Sequence, residues 1–160
     1  MTGARPRAAA LVLLAAAGCG YSLAAGAGRL PPGAEQIFVP PLENRTADAE
    51  VGALVAAALR QELARRGVEG GPAAEARIQG TVLRAAFAPT TPQIASYRLA
   101  LEVQARLVIG GKVVAEQTVR REQDYLGEED ALASEGRRRL ALRRAAADVA
   151  REMVERFETP

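Results

Sequence analysis

From Tyr97 to Ile109 the chain alternates without a break: Tyr97, Leu99, Leu101, Val103, Ala105, Leu107 and Ile109 are separated by Arg98, Ala100, Glu102, Gln104, Arg106 and Val108. Successive side chains of a strand point to opposite faces, so the pattern predicts one long strand with a buried face and a largely wet one. Gly110-Gly111 follows, a two-residue hairpin signal, because such a turn needs backbone angles that glycine adopts freely. The return strand, Lys112–Tyr125, is less apolar and heavily charged from Glu116 to Asp124, as an exposed sheet edge would be.

The other elements supply what this hairpin lacks. Arg77–Ala88 reads as the strand before it, with Ile78, Gly80 and Val82 on one face, and Pro89-Thr-Thr-Pro92 breaks the chain between them. Upstream, Gln36-Ile-Phe-Val-Pro-Pro41 is a short apolar strand stopped by two prolines, which cannot donate to a ladder. Thr46 or Asp48 can cap a helix running to about Arg66, whose stripe is Val51, Leu54, Val55, Ala58, Leu59 and Leu63. Gly67 can take the left-handed stop, and Glu69–Ala74 is a loop. The last helix opens over Gly127–Asp130, with acids at its positive end, and extends to about Phe157. Its inward residues are Leu142, Ala146, Val149, Met153 and Phe157. The order is β-α-β-β-β-α: an α+β fold with two helices packed on one face of a four-stranded, mostly antiparallel sheet.

The N-terminus reads as a secretory signal over residues 1–18. Arg5 and Arg7 precede the uncharged run Ala8–Ala17, and Ala16-Ala17-Gly18 leads into Cys19. The run is too short to span a bilayer, which needs roughly 20 residues. Ala16-Ala17-Gly18-Cys19 resembles the lipobox of bacterial lipoproteins, with Ala16 where leucine is usual, so Cys19 is expected to carry a covalent lipid. Gly20 follows it, not the aspartate that resembles an inner-membrane retention signal, so the expected place is the periplasmic side of the outer membrane. Residues 19–34 are then a Gly/Ala-rich tether, and 35–160 a single periplasmic domain. With Arg5 and Arg7 removed, 19 basic residues face 19 acidic ones, which gives no case for nucleic-acid binding.

The chain has no histidine, and its one cysteine is Cys19. That removes histidine-based acid–base work and nearly all zinc chemistry. Ser22, Ser96 and Ser134 have no activating setting. Glu128-Glu129-Asp130 reads as a helix start in preference to a metal cluster, and no cofactor is expected beyond the lipid. The domain therefore reads as a binding or assembly component, not an enzyme. One charge cluster stands out: Arg137, Arg138, Arg139, Arg143 and Arg144. Arg137 and Arg144 fall on nearly one helix azimuth, so the group is a candidate phosphate or carboxylate site. The preferred reading is a solvated helix face in which Glu135 pairs with Arg139 at i,i+4.

Cys19-Gly20-Tyr21-Ser22-Leu23 is similar to the Cys-Gly-aromatic-x-Leu opening of the LptE family of lipopolysaccharide-assembly lipoproteins. Leu30-Pro31, Ile37-Phe38-Val39-Pro40 and Asn44 resemble that family's first strand and following loop. Ala95–Ile109 resembles its long third strand, and Tyr125, Ala131-Leu132-Ala133 and the Arg-rich last helix resemble its C-terminal part. The resemblance implies a plug and folding partner inside an outer-membrane β-barrel of the LptD type, which delivers lipopolysaccharide to the cell surface. Basic residues at the hairpin between the second and third strands and near the last loop are implicated there in lipopolysaccharide contact. This chain departs at both places, with Pro89-Thr-Thr-Pro92 and Ser134, and the plug role does not depend on them. Arg137, Arg138, Arg143 and Arg144 remain the candidate contacts for lipopolysaccharide or an acidic partner. An alternative is a periplasmic lipoprotein that activates a peptidoglycan synthase, but the short tether between Cys19 and Gln36 keeps the domain near its membrane.

Overall fold

The computed structural model describes residues 29–91, 96–128 and 130–158. The signal peptide, Cys19, the Cys19–Leu23 motif and most of the tether lie outside the described residues. The elements are β1 (Ile37–Phe38), β2 (Glu43–Asn44), α1 (Val51–Arg65), β3 (Ala76–Thr91), β4 (Ser96–Ile109), β5 (Lys112–Leu126) and α2 (Ala131–Phe157). The sheet runs β1-β3-β4-β5, with β2 also pairing β3. β1 and β2 lie parallel to β3, and β3–β4–β5 form an antiparallel meander. This is the α+β fold expected, with one refinement. Pro40-Pro41 divides the first strand, so the chain touches β3 twice, at Ala76–Arg77 and at Thr81–Val82.

Strand β4 behaves as its alternation predicts. Leu99, Leu101, Val103, Ala105 and Leu107 are all buried, and they form the floor of a core roofed by the two helices. Helix α1 contributes Val51, Val55, Leu59 and Leu63, while α2 contributes Leu142, Ala146, Val149, Met153 and Phe157. Removing each such Val, Leu or Phe from water is worth about 1.5–3 kcal/mol. Bulky aromatics are scarce in this core. Its closeness comes instead from Ala56, Ala105, Ala145, Ala146 and Ala150, which let α2 approach α1 and the sheet.

Strand β3 departs from strict alternation. Ile78 and Val82 face the core, but a bulge at Leu83 shifts the pairing, so that Val82 opposes Val103 and Arg84 opposes Glu102. One extra residue reverses which parity faces inward. Ala85 and Phe87 therefore face the helices, where uninterrupted alternation would place Arg84. The Pro89-Thr-Thr segment also does not end the strand, since Pro89 pairs with Tyr97 inside β3. That part of β3 has a strand neighbour on one side only, so the missing N–H need not cost a ladder bond.

Neither Thr46 nor Asp48 caps α1. Its N-cap is Glu50, with no side-chain bond. Asn44 organises the entry loop instead, accepting from the Thr46 N–H at 3.0 Å and donating to the Asp48 carbonyl at 2.7 Å. Gly67 does take the left-handed conformation, with φ of +73°. Helix α2 begins at Asp130, whose carboxylate accepts from the Ala133 N–H at 2.9 Å.

The C-terminal ends of both helices are tied by charge. Glu62, only 7 % exposed, accepts from Arg66 Nε at 2.7 Å and pairs with Arg65; Arg66 also pairs with Glu158. Burial alone pushes the Glu62 carboxyl up, but the two guanidinium groups outweigh it and hold it below the usual carboxylate range. A depressed folded pKa contributes stability that is complete above the unfolded value of roughly 4.3 and is lost as pH falls through the folded one. Glu62→Gln is expected to lower stability near neutrality and to flatten part of the acid loss in urea melts. Melts that stay parallel to the parent throughout the acid range contradict this assignment.

The register of β4 makes a second prediction. Leu101→Asp buries an unpaired carboxylate, at a cost of several kcal/mol against a typical stability of ~5–15 kcal/mol, and should unfold the domain. Glu102→Leu, one residue on and facing outward, should fold. Equal damage from both changes in denaturant melts rejects the register.

Candidate functional site

Two surfaces remain once the core is accounted for: the start of α2 where it crosses the far end of the sheet, and the sheet face that no helix covers. The bulge at Leu83 builds the first. It turns Phe87 inward, where its ring meets Tyr125 edge-on at 6.4 Å, and Tyr125 stacks on Tyr97 at 5.5 Å. The three rings are half-buried, and burial pushes the Tyr125 phenol up. Arg138 lies over the Phe87 ring, 4.6 Å from its centre. It also donates to Asp48 Oδ2 at 3.2 Å and to Glu135 Oε2 at 2.8 Å. The hydrogen bond to Glu135 raises the Arg138 pKa against the opposing effect of burial, and Asp48 adds to it. Arg138 therefore joins the entry of α1, the end of β3 and the first turns of α2.

The arginine cluster does not act as one group. Arg138 points inward. Arg139 pairs with Glu135 at 2.8 Å, the i,i+4 bond expected of a solvated face. Arg137 and Arg144 do share an azimuth, and with Tyr125, Leu126 and Leu140 they line a shallow pocket of about 110 Å³. Arg137 also pairs with Glu128. Arg143 and Arg144 are exposed, with no partner among the described residues. Ser134 accepts from the Glu128 N–H at 2.9 Å and so fastens the loop before α2. Asp130 is the helix cap, Glu128 is bound to Arg137, and Glu129 lies outside the described residues. Among the described residues no group of acids is placed to hold a metal ion.

The second surface is the outward face of β3–β4–β5. Arg98 grips Asp124 through two bonds, at 2.7 and 2.9 Å, and lies 3.7 Å from Glu122. Arg120 pairs with Glu122 at 2.7 Å, Arg106 with Glu116 at 3.1 Å, and Gln104 donates to Glu116 at 2.9 Å. The Arg98 hydrogen bond holds the Asp124 carboxyl below its ordinary value. Near β2 the ladder ends at a groove of about 310 Å³ lined by Glu43, Arg45, Gln79, Thr81, Gln104 and Arg106. Exposed pairs of this kind contribute about 0–1 kcal/mol each, so the ladder is not what holds the fold. It makes a broad, polar, nearly neutral surface of hydrogen-bonding groups.

The family model for lipopolysaccharide assembly, LptE, matches residues 34–157. The chain belongs to the LptE family. No curated protein sequence matches it. LptE-family membership is accompanied by fold likeness to solved structures. A candidate lipoprotein from Caulobacter crescentus is 21 % identical, with a TM-score of 0.58 over 73 % of this chain and 87 % of the other. PelC from Paraburkholderia phytofirmans, a dodecamer, is 15 % identical with a TM-score of 0.58, over 84 % and 94 %. Rare lipoprotein B from Shewanella oneidensis is 19 % identical with a TM-score of 0.50, over 75 % and 92 %. At these identities the likeness speaks for the fold alone. Membership places the chain in a non-enzymatic lipoprotein family concerned with lipopolysaccharide assembly. No described helix is long and apolar enough to cross a membrane.

The alternation from Tyr97 exposed the wet face of β4 at the level of sequence, but not which charges meet across strands, because register depends on both bulges. Phe87 and Asp48 as partners of Arg138 carry no sequence signal, being 51 and 90 positions away. Arg138→Ala is expected to cost about 1–3 kcal/mol, from the loss of the ring contact and of part-buried charge-assisted bonds. Arg143→Ala should change stability by no more than ~0.5 kcal/mol. Equal denaturation midpoints for the two variants would remove Arg138 from its structural role.

Proposed function

We propose that this chain is a lipid-anchored outer-membrane lipoprotein, held by an acyl group on Cys19, that plugs and assists assembly of an LptD-type β-barrel delivering lipopolysaccharide to the cell surface. The observation that carries the reading is the uncovered outer face of the sheet within a chain of the LptE family. A barrel lumen is polar, and a body that fills it needs charges able to exchange partners with the wall and little net charge of its own. A face of Arg98, Glu102, Gln104, Arg106, Glu116, Arg120, Glu122 and Asp124 meets both needs. The domain performs no bond-breaking chemistry in this reading. It binds, excludes solvent and stabilises the assembled barrel.

Direct contact with lipopolysaccharide would fall to Arg137 and Arg144, with Arg143 beside them. Their guanidinium groups suit phosphate, and Leu126 and Leu140 flank them on the apolar side. Arg138 is already committed to Asp48, Glu135 and Phe87, so it supports this surface and does not reach from it. Replacing Arg137 and Arg144 with Gln should weaken lipopolysaccharide binding at low salt and leave the barrel complex intact. Unchanged lipid binding would return the pair to a solvated helix face.

The wider reading is tested by purification from detergent-solubilised outer membrane. A large β-barrel is expected to co-purify, and depletion of this chain should lower correctly assembled barrel and surface lipopolysaccharide. Cys19→Ser should abolish acyl labelling and leave precursor or mislocalised protein. A penicillin-binding protein recovered in place of a barrel would overturn the assignment in favour of peptidoglycan-synthase activation.

A further inference from the structure

Among the described residues five large hydrophobic side chains are conspicuously exposed, and they fall at opposite poles of the sheet. Leu126, Leu132 and Leu140 lie where β5 leads into α2, while Val113 and Val114 lie just after the Gly110–Gly111 turn. Strand β4 is 14 residues long, so at about 3.3 Å per residue the poles are roughly 46 Å apart. The valines are 55 % and 48 % exposed. Their exposure has a local cause. A register shift sets Leu107 against Ala115 but Val108 against Val113, which leaves Val114 as an unpaired extra residue of β5.

The chain enters the domain at this same pole. Gly33 abuts the Ile109 side chain so closely that an added Cβ would sit 2.8 Å from it. The Gly110 N–H points to the Glu75 carbonyl, so the turn, the end of the tether and the start of β3 lie together. Leu30 already packs against the core, and from there back to Cys19 is 11 residues, which span no more than ~40 Å when fully extended. The pole with Val113 and Val114 is therefore the part of the domain joined most directly to the lipid-bearing cysteine. Lys112, the sole lysine of the chain, stands beside the valines and is exposed. Arg77, Glu75 and Glu35 also lie nearby: Arg77 opposes Val108 across the sheet, Glu75 meets the turn, and Glu35 accepts from the Gly33 N–H at 3.2 Å.

We propose that the Gly110–Gly111 hairpin, through Val113, Val114 and Lys112, is a second, non-covalent membrane contact, lying against the headgroups of the bilayer that holds the Cys19 lipid. The proposal rests on the reading of Cys19 as acylated. Two branched apolar side chains at a turn, with a lysine able to hold its charge at headgroup level, have the composition of an interfacial anchor. The contact is too small to hold the protein alone. Tethering makes it intramolecular, so a weak contact suffices. It would fix the tilt of the domain relative to the membrane.

The test uses the full mature chain bearing Lys112→Cys, labelled there with an environment-sensitive dye while the Cys19 sulfur is occupied by lipid. After reconstitution into phosphatidylethanolamine and phosphatidylglycerol vesicles, emission should shift to the blue and be quenched by lipids carrying a headgroup nitroxide. A dye at Leu132→Cys, at the far pole, should keep its aqueous emission. Adding Val113→Glu and Val114→Glu to the Lys112→Cys chain should abolish the shift, with thermal unfolding unchanged because both positions are exposed. An aqueous signal at position 112, with the acyl group on Cys19 verified by mass, overturns the hairpin contact and leaves the anchor standing. A chain without the acyl group overturns both. A shift that grows with protein concentration and ignores the nitroxide lipids assigns the valines to a second copy of the chain, and so overturns the membrane contact.

Discussion

The one-sided burial of β4 is the constraint on which everything else in this molecule depends. Leu99, Leu101, Val103, Ala105 and Leu107 are withdrawn from water by both helices, while Arg98, Glu102, Gln104 and Arg106 stand on the other side of the same strand. Because the period is two, a slip of one residue would exchange these sets and bury four charged or amide groups, so the register has no competitor of comparable energy. The helices must then lie on a single face, and the other face must stay polar. A broad and mostly polar surface therefore follows from the core before any partner is considered, with Val108 and Val113 as its apolar exception beside the hairpin.

The bulges adapt this frame to a purpose. At Leu83, one additional residue brings Phe87 under α2, gives Arg138 a ring to cover and draws Asp48 into the same cluster. At the opposite pole, the irregularity near Val114 leaves two valines open to solvent, on the side of the sheet where Gly33 meets Ile109. Between them, the cross-strand pairs keep the outward face near neutrality at little energetic gain. The Glu62–Arg66–Glu158 network ties the C-terminal ends of the two helices together.

Much of this was legible in the sequence, and the parts that were not have a common physical origin. The long strand, its hairpin, both amphipathic helices and the α+β order follow from periodicity and from glycine and proline positions. The stop at Gly67 and the acidic start of α2 follow from terminal chemistry. What escaped was anything set by register or by a distant partner: the split of the first strand into β1 and β2, the continuation of β3 through Pro89, and the loop cap built on Asn44. For the candidate site, Arg137 and Arg144 could be paired by azimuth alone. That Arg138 turns inward could not be read, since its ring and its acid come from β3 and the entry to α1.

The central claim is that the uncovered sheet face of this LptE-family chain is seated in a polar barrel wall. It is tested most directly by a photocrosslinking residue placed at Gln104, on that face, in living cells. The account predicts crosslinks to one large outer-membrane β-barrel protein, retained after detergent extraction and lost when the barrel is depleted. Crosslinks to a penicillin-binding protein, or a face that remains uncrosslinked while the barrel still co-purifies with the chain, would contradict it.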